Sequence, residues 1–347
     1  MPGTSSVRSA SEIHGDLGLP IASGFPGGPR FKEKRCALSA PRGAERLLNM
    51  SRYLRVVVTP RCPLACSYCH LEGDPASNRS LQTGELLALL RSGLDAGVRK
   101  IKYLGGEPLL RADLPQVIEQ VARWDSEVDQ SIITSGSLPP QRLSACLEAG
   151  LGRANLSIHG WGFPAFSRRK GTERQYGWRR ENLDLLLATG RPLKLNYVWG
   201  GEEDDADLYA LLAWAAGRPL VVNVLDDLGK DIGPLQILTV LKRLRGPWTE
   251  QWTEPDPHSL STLRLRWPDH LVVEVKDQQL GQVAPWRACA ACPKKLSCKE
   301  GIHAVRLTHD GRLQTCMDRP DLSVDLRETL LGEPAANHVW RQFLEAA

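Results

Sequence analysis

Cys62, Cys66 and Cys69 stand in the run Thr59-Pro60-Arg61-Cys62-Pro63-Leu64-Ala65-Cys66-Ser67-Tyr68-Cys69-His70, directly after the apolar stretch 54–58. Three thiolates on one short loop can hold three irons of a [4Fe–4S] cluster. The fourth iron then lacks a protein ligand and is open to a small molecule. A partial zinc knuckle would use the same residue type at similar spacing. A second signal, Gly105-Gly106-Glu107-Pro108, follows 36 residues after Cys69, at the end of the strand-like segment 100–104. Two glycines let backbone come close to a ligand, the Glu107 carboxylate suits an ammonium partner, and Pro108 stiffens the exit. Near the other end Cys289, Cys292, Cys298 and Cys316 form C-x2-C-x5-C-x17-C, a set fit for a second [4Fe–4S] cluster or for a zinc ribbon.

The elements that must carry these residues alternate. Strand-like segments at 54–59, 101–104, 131–134, 154–158, 193–198 and 220–224 are separated by helical patterns near 81–96, 113–123, 140–149, 177–188, 206–216 and 234–244. Six such repeats predict an α/β fold with a parallel sheet and right-handed crossovers. Strand period two puts Asn155, Ser157 and His159 on one face, and Lys194 with Asn196 on one face. Residues 302–308, His309-Asp310-Gly311 and 312–317 read as a hairpin. Cys146 reads as a buried small hydrophobe, and His70 as structural or solvent-facing.

The cysteine triplet and the GGEP run together resemble the radical S-adenosylmethionine (SAM) superfamily. The resemblance implies a partial (β/α)6 barrel of the TIM type with its chemistry at the strand C-terminal ends. It implies that Cys62, Cys66 and Cys69 hold a [4Fe–4S] cluster whose open iron chelates SAM. An electron then splits SAM into methionine and a 5′-deoxyadenosyl radical. On the same grounds Gly105, Gly106 and Glu107 hold the methionine end, Tyr68 lies beside the adenine, and Thr134, Ser135, Ser157, Lys194 and Asn196 help hold SAM or substrate. A reducing protein such as ferredoxin or flavodoxin is the implied partner, and a small molecule the implied substrate.

Residues 304–316, with Asp325-Leu326-Arg327, resemble the auxiliary-cluster region of the MoaA family of GTP cyclases. That likeness implies a small twitch-like or SPASM-like C-terminal domain in which Cys289, Cys292, Cys298 and Cys316 hold the second cluster. Three features depart from the family: Cys298 is an additional candidate ligand, Ala304 replaces one of two alternating arginines while Arg306 remains, and the chain ends Leu344-Glu345-Ala346-Ala347 without a Gly-Gly tail. These departures argue against GTP. The expected domains are a disordered tail over 1–49, a core over 50–250 and the auxiliary-cluster domain over 251–347.

Composition sets outer bounds. A chain of 347 residues with 42% hydrophobic content can bury one large core or two modest ones. No apolar run approaches the ~20 residues of a membrane span, and a signal-peptide pattern is lacking at the start. Seven of nine cysteines fall in the two clusters, which favours metal ligands in a reducing cytoplasm over disulfides. Residues 1–50 carry seven Lys/Arg against four Asp/Glu, and the net charge of +4 implies no strong nucleic-acid binding. Cys36, in that tail, is expected to ligate nothing. The favoured reading is a radical SAM enzyme acting on a nucleotide, nucleoside or sugar-like metabolite in specialised metabolism. The alternatives are a maturase of a ribosomally made peptide, a GTP 3′,8-cyclase of molybdopterin synthesis, and a non-enzymatic iron–sulfur carrier or zinc scaffold.

Overall fold

Six parallel strands alternate with helices as the hydrophobic pattern requires. They are β1 (Tyr53–Val57), β2 (Lys100–Leu104), β3 (Asp129–Thr134), β4 (Arg153–Ile158), β5 (Leu193–Trp199) and β6 (Val221–Asp226). The helices are α1 (Thr83–Asp95), α2 (Leu114–Trp124), α3 (Pro140–Glu148), a short α4 (Phe163–Ser167), α5 (Glu173–Ala188), α6 (Asp205–Ala215) and α7 (Pro234–Arg245). This computed structural model describes residues 53–327 apart from 75–76, 228, 231, 255–261, 277–285, 296–297 and 299–303, and beyond 327 only residues 340 and 343. The expected N-terminal tail and Cys36 lie outside the described residues.

Local chemistry fixes the helix ends. Helix α5 starts before the expected residue 177 because Thr172 caps it: its hydroxyl accepts from Gln175 N–H at 3.3 Å while the Gln175 side chain accepts from Thr172 N–H at 2.8 Å. In α2, Leu114, Val117, Ile118 and Val121 are buried at helical spacing against the sheet. Cys146 is buried on α3, as expected.

The strands show two faces. Along β4 and β5 the residues Ala154, Leu156, Ile158, Leu193, Leu195 and Tyr197 are buried against the helices, whereas Asn155, Ser157, Lys194 and Asn196 are half-buried on the other face. That second face is the interior of a partial (β/α)6 barrel. The sheet also grows at both edges, in order β12-β11-β10-β1-β2-β3-β4-β5-β6-β9-β8-β7. On the β6 side stand β7 (Glu250–Glu254), β8 (Thr262–Arg266) and β9 (Val272–Lys276); on the β1 side stand β10 (Val305–Leu307), β11 (Arg312–Gln314) and β12 (Val324–Asp325). Strand β10 runs parallel to β1 and β9 parallel to β6. The sheet is therefore continuous across the 250/251 boundary expected from sequence. No helix among the described residues is long and apolar enough to cross a membrane.

Candidate functional site

The loop that leaves β1 carries the first cysteines at the strand C-terminal end. Cys62 and Cys69 are exposed and Cys66 half-buried, and Cys69 N–H donates to Cys66 O at 3.2 Å. Burial, then the neighbouring Cys69 and Cys62, pushes the Cys66 thiol up to about 12, so the three sulfurs are close enough to repel as thiolates. Cationic iron would relieve that repulsion, since metal binding takes the thiolate form. Among the described residues no three side chains converge on one ion-sized point. A cubane suits this donor set better than a single ion, because its three protein sulfurs bind three different irons.

The glycine run is pressed against that loop. A Cβ on Gly105 would stand 2.3 Å from Thr59 O, and one on Gly106 2.3 Å from Arg61 O. Gly106 N–H donates to Thr59 O and Glu107 N–H to Arg61 O, each at 2.8 Å. The close approach expected for a ligand is thus made to the cysteine loop itself.

Glu107 is 1% exposed and fully engaged. Its Oε1 accepts from Thr134 Oγ1 at 2.6 Å and Leu109 N at 3.2 Å, and its Oε2 from Ser135 Oγ at 2.5 Å and Ser135 N at 2.8 Å. Burial pushes its carboxyl up, opposed by the bonds from Ser135 and Thr134. Thr134 and Ser135 both donate to Glu107, because a buried carboxylate takes the nearest donors. Gly136, at φ +65°, turns the chain there, and Asn182 of α5 donates to Gly136 O at 2.8 Å.

Tyr68 meets a residue that sequence had left unassigned. Its hydroxyl lies 2.6 Å from His159 Nδ1, which is also 3.4 Å from Cys66 Sγ, and the two rings stack. Burial, helped by Arg179 and Arg169, holds the His159 imidazole down to about 3, so it is neutral. Its strand parity with Ser157 was the available signal.

Lys194 pairs with the chain's own Glu274 on β9, whose other oxygen accepts from Arg264 Nη2 at 2.6 Å. Asn196 Oδ1 accepts from Asn223 Nδ2 at 3.0 Å. Ser157 sits opposite Asn196 in register. Sequence reasoning missed Glu274, which lies 80 residues from Lys194.

The opposite side of the barrel interior is cationic. Arg306, Arg55 and Lys102 are register partners across β10, β1 and β2. Glu72, just after the cysteine loop, accepts from Arg55 Nε at 3.0 Å and Arg306 Nε at 3.3 Å. Burial alone would raise the Glu72 carboxyl, but Arg55 and Arg306 outweigh it and hold it well below the carboxylate range. Lys102 is 7% exposed and has no carboxylate partner among the described residues. Burial first, then Arg55, Arg153, Lys100 and Lys194, pushes its ammonium far below the usual lysine range.

The second cysteine group lies beside this wall. Cys292 N–H donates to Cys289 O at 3.3 Å. Arg319 reaches the Cys292 sulfur, Asp318 N–H donates to Cys316 Sγ at 3.4 Å, and Lys294 pairs with Asp318 at 3.2 Å. These bonds gather Cys289, Cys292 and Cys316; Cys298 is exposed, between segments outside the described residues. His309 on the hairpin turn pairs with Asp74, and its carbonyl accepts from Leu81 N at 2.8 Å, which ties the hairpin to the loop after Cys69.

Comparison with known proteins agrees with this geometry. The family model of the radical SAM superfamily matches residues 56–215. A "Probable GTP 3′,8-cyclase" of Methanocella arvoryzae is 32% identical over 176 residues, 50% of this chain and 56% of that one. A protein of the same name from Methanopyrus kandleri is 30% identical over 274 residues, 78% of this chain and 82% of that one. The crystal structure of Streptococcus suis SuiB bound to precursor peptide SuiA shares the fold at a TM-score of 0.56, with 14% identity, over 95% of this chain and 75% of that one. The chain therefore belongs to the radical SAM superfamily, on the MoaA-like side, as an enzyme whose family cofactors are SAM and a [4Fe–4S] cluster.

Proposed function

We propose that this radical SAM enzyme acts on a phosphorylated purine nucleoside, with GTP the first candidate. The observation that carries this reading is the row Arg306–Arg55–Lys102, three buried basic side chains on register-matched strands, the two arginines paired with Glu72. A polyanionic substrate complements a wall of basic side chains. Relatives named for GTP 3′,8-cyclase activity match along most of the chain and favour GTP over the wider class of specialised metabolites expected from sequence. They also outweigh Ala304, since Arg55 occupies the same wall as Arg306.

Bound SAM supplies a carbon radical for hydrogen abstraction. The chain's own part is to hold and orient. Cys62, Cys66 and Cys69 hold the SAM cluster, Tyr68 with His159 and the Gly105-Gly106 backbone shape its surroundings, and Cys289, Cys292, Cys316 and Cys298 hold an auxiliary cluster next to the cationic wall. Reconstituted enzyme with SAM, dithionite and GTP is expected to give a cyclised guanosine product together with 5′-deoxyadenosine. Release of 5′-deoxyadenosine driven by another substrate class, with GTP inert, would sink the nucleotide assignment.

Lys102→Met separates substrate binding from stability. Loss of a charge-assisted contact worth about 1.5–3 kcal/mol should weaken GTP binding by about tenfold or more. Removal of a buried amine that disfavours its charged form should raise the melting temperature of the ligand-free enzyme. Burial weakens the folded chain's hold on the Lys102 proton, so the unfolded chain binds it more tightly. This group's contribution therefore makes stability rise with pH below the ordinary lysine value. Calorimetric titration with GTP and melting curves at several pH values check both; unchanged affinity would remove Lys102 from the site.

A further inference from the structure

We propose that the turn after α4 is the landing site of an acidic one-electron carrier protein that reduces the cluster held by Cys62, Cys66 and Cys69. Residues 168–174, Arg-Arg-Lys-Gly-Thr-Glu-Arg, contain four cations and one carboxylate, within a chain whose net charge is only +4. The turn touches the cysteine loop directly: Ala65 N–H, one residue before Cys66, donates to Arg169 O at 2.9 Å, and the Arg169 guanidinium lies 5.0 Å over the Tyr68 ring. Around that contact Arg61, Ala65, Ser67, Arg168, Lys170 and Arg174 are exposed.

The turn is also built to hold its shape. Lys170 takes φ +60°, and Phe166 is fully buried. A Cβ on Gly171 would stand 2.2 Å from the Phe166 ring, so the chain closes tightly there. Asp204 takes part of the Arg168 charge at 3.1 Å, and Arg174 stacks on Trp178 at 4.7 Å. The remaining charge faces outward beside the exposed edge of the cysteine loop.

Charge complementarity of this kind sets encounter rate and orientation. Reductive cleavage of SAM consumes one electron that the chain cannot make. The carrier gives up that electron and is oxidised by one. With the cluster held by Cys62, Cys66 and Cys69 and SAM bound, that electron would be spent in breaking one carbon–sulfur bond of the sulfonium, giving methionine and one carbon radical. A donor of net negative charge docked on 168–174 stands against the cysteine loop, through the contact of Ala65 with Arg169. This inference rests on the radical SAM assignment, and dithionite, which needs no docking surface, tests that assignment separately.

The experiment compares two reductants on reconstituted full-length enzyme: dithionite, and an acidic flavodoxin kept reduced by its reductase. For the triple variant Arg168→Glu/Lys170→Glu/Arg174→Glu, 5′-deoxyadenosine formation with dithionite should stay within about twofold of the parent. With subsaturating flavodoxin the rate should fall by about tenfold or more, and the parent's flavodoxin-driven rate should fall with added salt. Glu173→Gln, which removes the carboxylate from the patch, should raise the flavodoxin-driven rate alone. Equal flavodoxin rates in parent and triple variant, or equal losses with both reductants, would overturn the docking site. An inactive parent with dithionite would instead overturn the catalytic assignment, and the docking site with it.

Discussion

Replacing Cys62, Cys66 and Cys69 together by alanine is expected to remove about four irons per chain and to abolish dithionite-driven formation of 5′-deoxyadenosine. The loop is otherwise held by backbone bonds, from Gly106 and Glu107 to Thr59 and Arg61 and from Ala65 to Arg169, so the variant should fold. Iron that persists should sit at the second group, where Cys289, Cys292 and Cys316 are gathered. Mössbauer spectra of the triple variant then show the auxiliary cluster alone. Subsequent replacement of Cys298 reports whether that cluster has three or four protein ligands. Undiminished 5′-deoxyadenosine from the triple variant would refute the ligand assignment; zinc at the second site would assign a ribbon there.

Glu107→Gln should be the most damaging isosteric change at the site. The hydroxyls of Thr134 and Ser135 can turn to accept from an amide, but backbone N–H groups cannot. Each carboxylate oxygen faces one such group, Leu109 N at Oε1 and Ser135 N at Oε2. Whichever way the amide turns, its NH2 opposes a backbone donor, which then loses its partner. The cost is about 1–3 kcal/mol for the stranded group, seen as a fall of several degrees in melting temperature. Because Glu107 joins the exits of β2 and β3, SAM affinity should fall at the same time. A variant as stable as the parent, but weak in SAM binding, would mean that the carboxylate serves the ligand rather than the fold.

Much of this was legible in the sequence. The barrel elements were readable because helices such as α2 carry a 3.6-residue apolar stripe and strands such as β1 a run of apolar residues. The cysteine loop and the glycine run were readable because their chemistry is local in sequence. Roles that depend on distant partners were not. Lys194 suggested a carboxylate partner, and its ammonium pairs with Glu274, 80 residues away. Thr134 and Ser135 suggested ligand contacts, and both donate to Glu107. Strand β7 was missed because this edge strand, Glu250–Glu254, is largely polar. His159 showed its strand face, but nothing in its neighbours announced Tyr68 and Cys66.

The parallel pairing of β10 with β1 bears on how the chain is made. Leu54 pairs with Val305, so the first strand of the barrel finds its outer neighbour only after almost all of the chain has left the ribosome. Until then the apolar edge of β1, with the cysteine loop at its end, lacks that cover. Contacts between residues so far apart in sequence form slowly, because the intervening chain must first be ordered. During synthesis the loop that bears Cys62, Cys66 and Cys69 is therefore open on the side that the hairpin later closes. That interval leaves a strand edge exposed to mispairing until the hairpin is made.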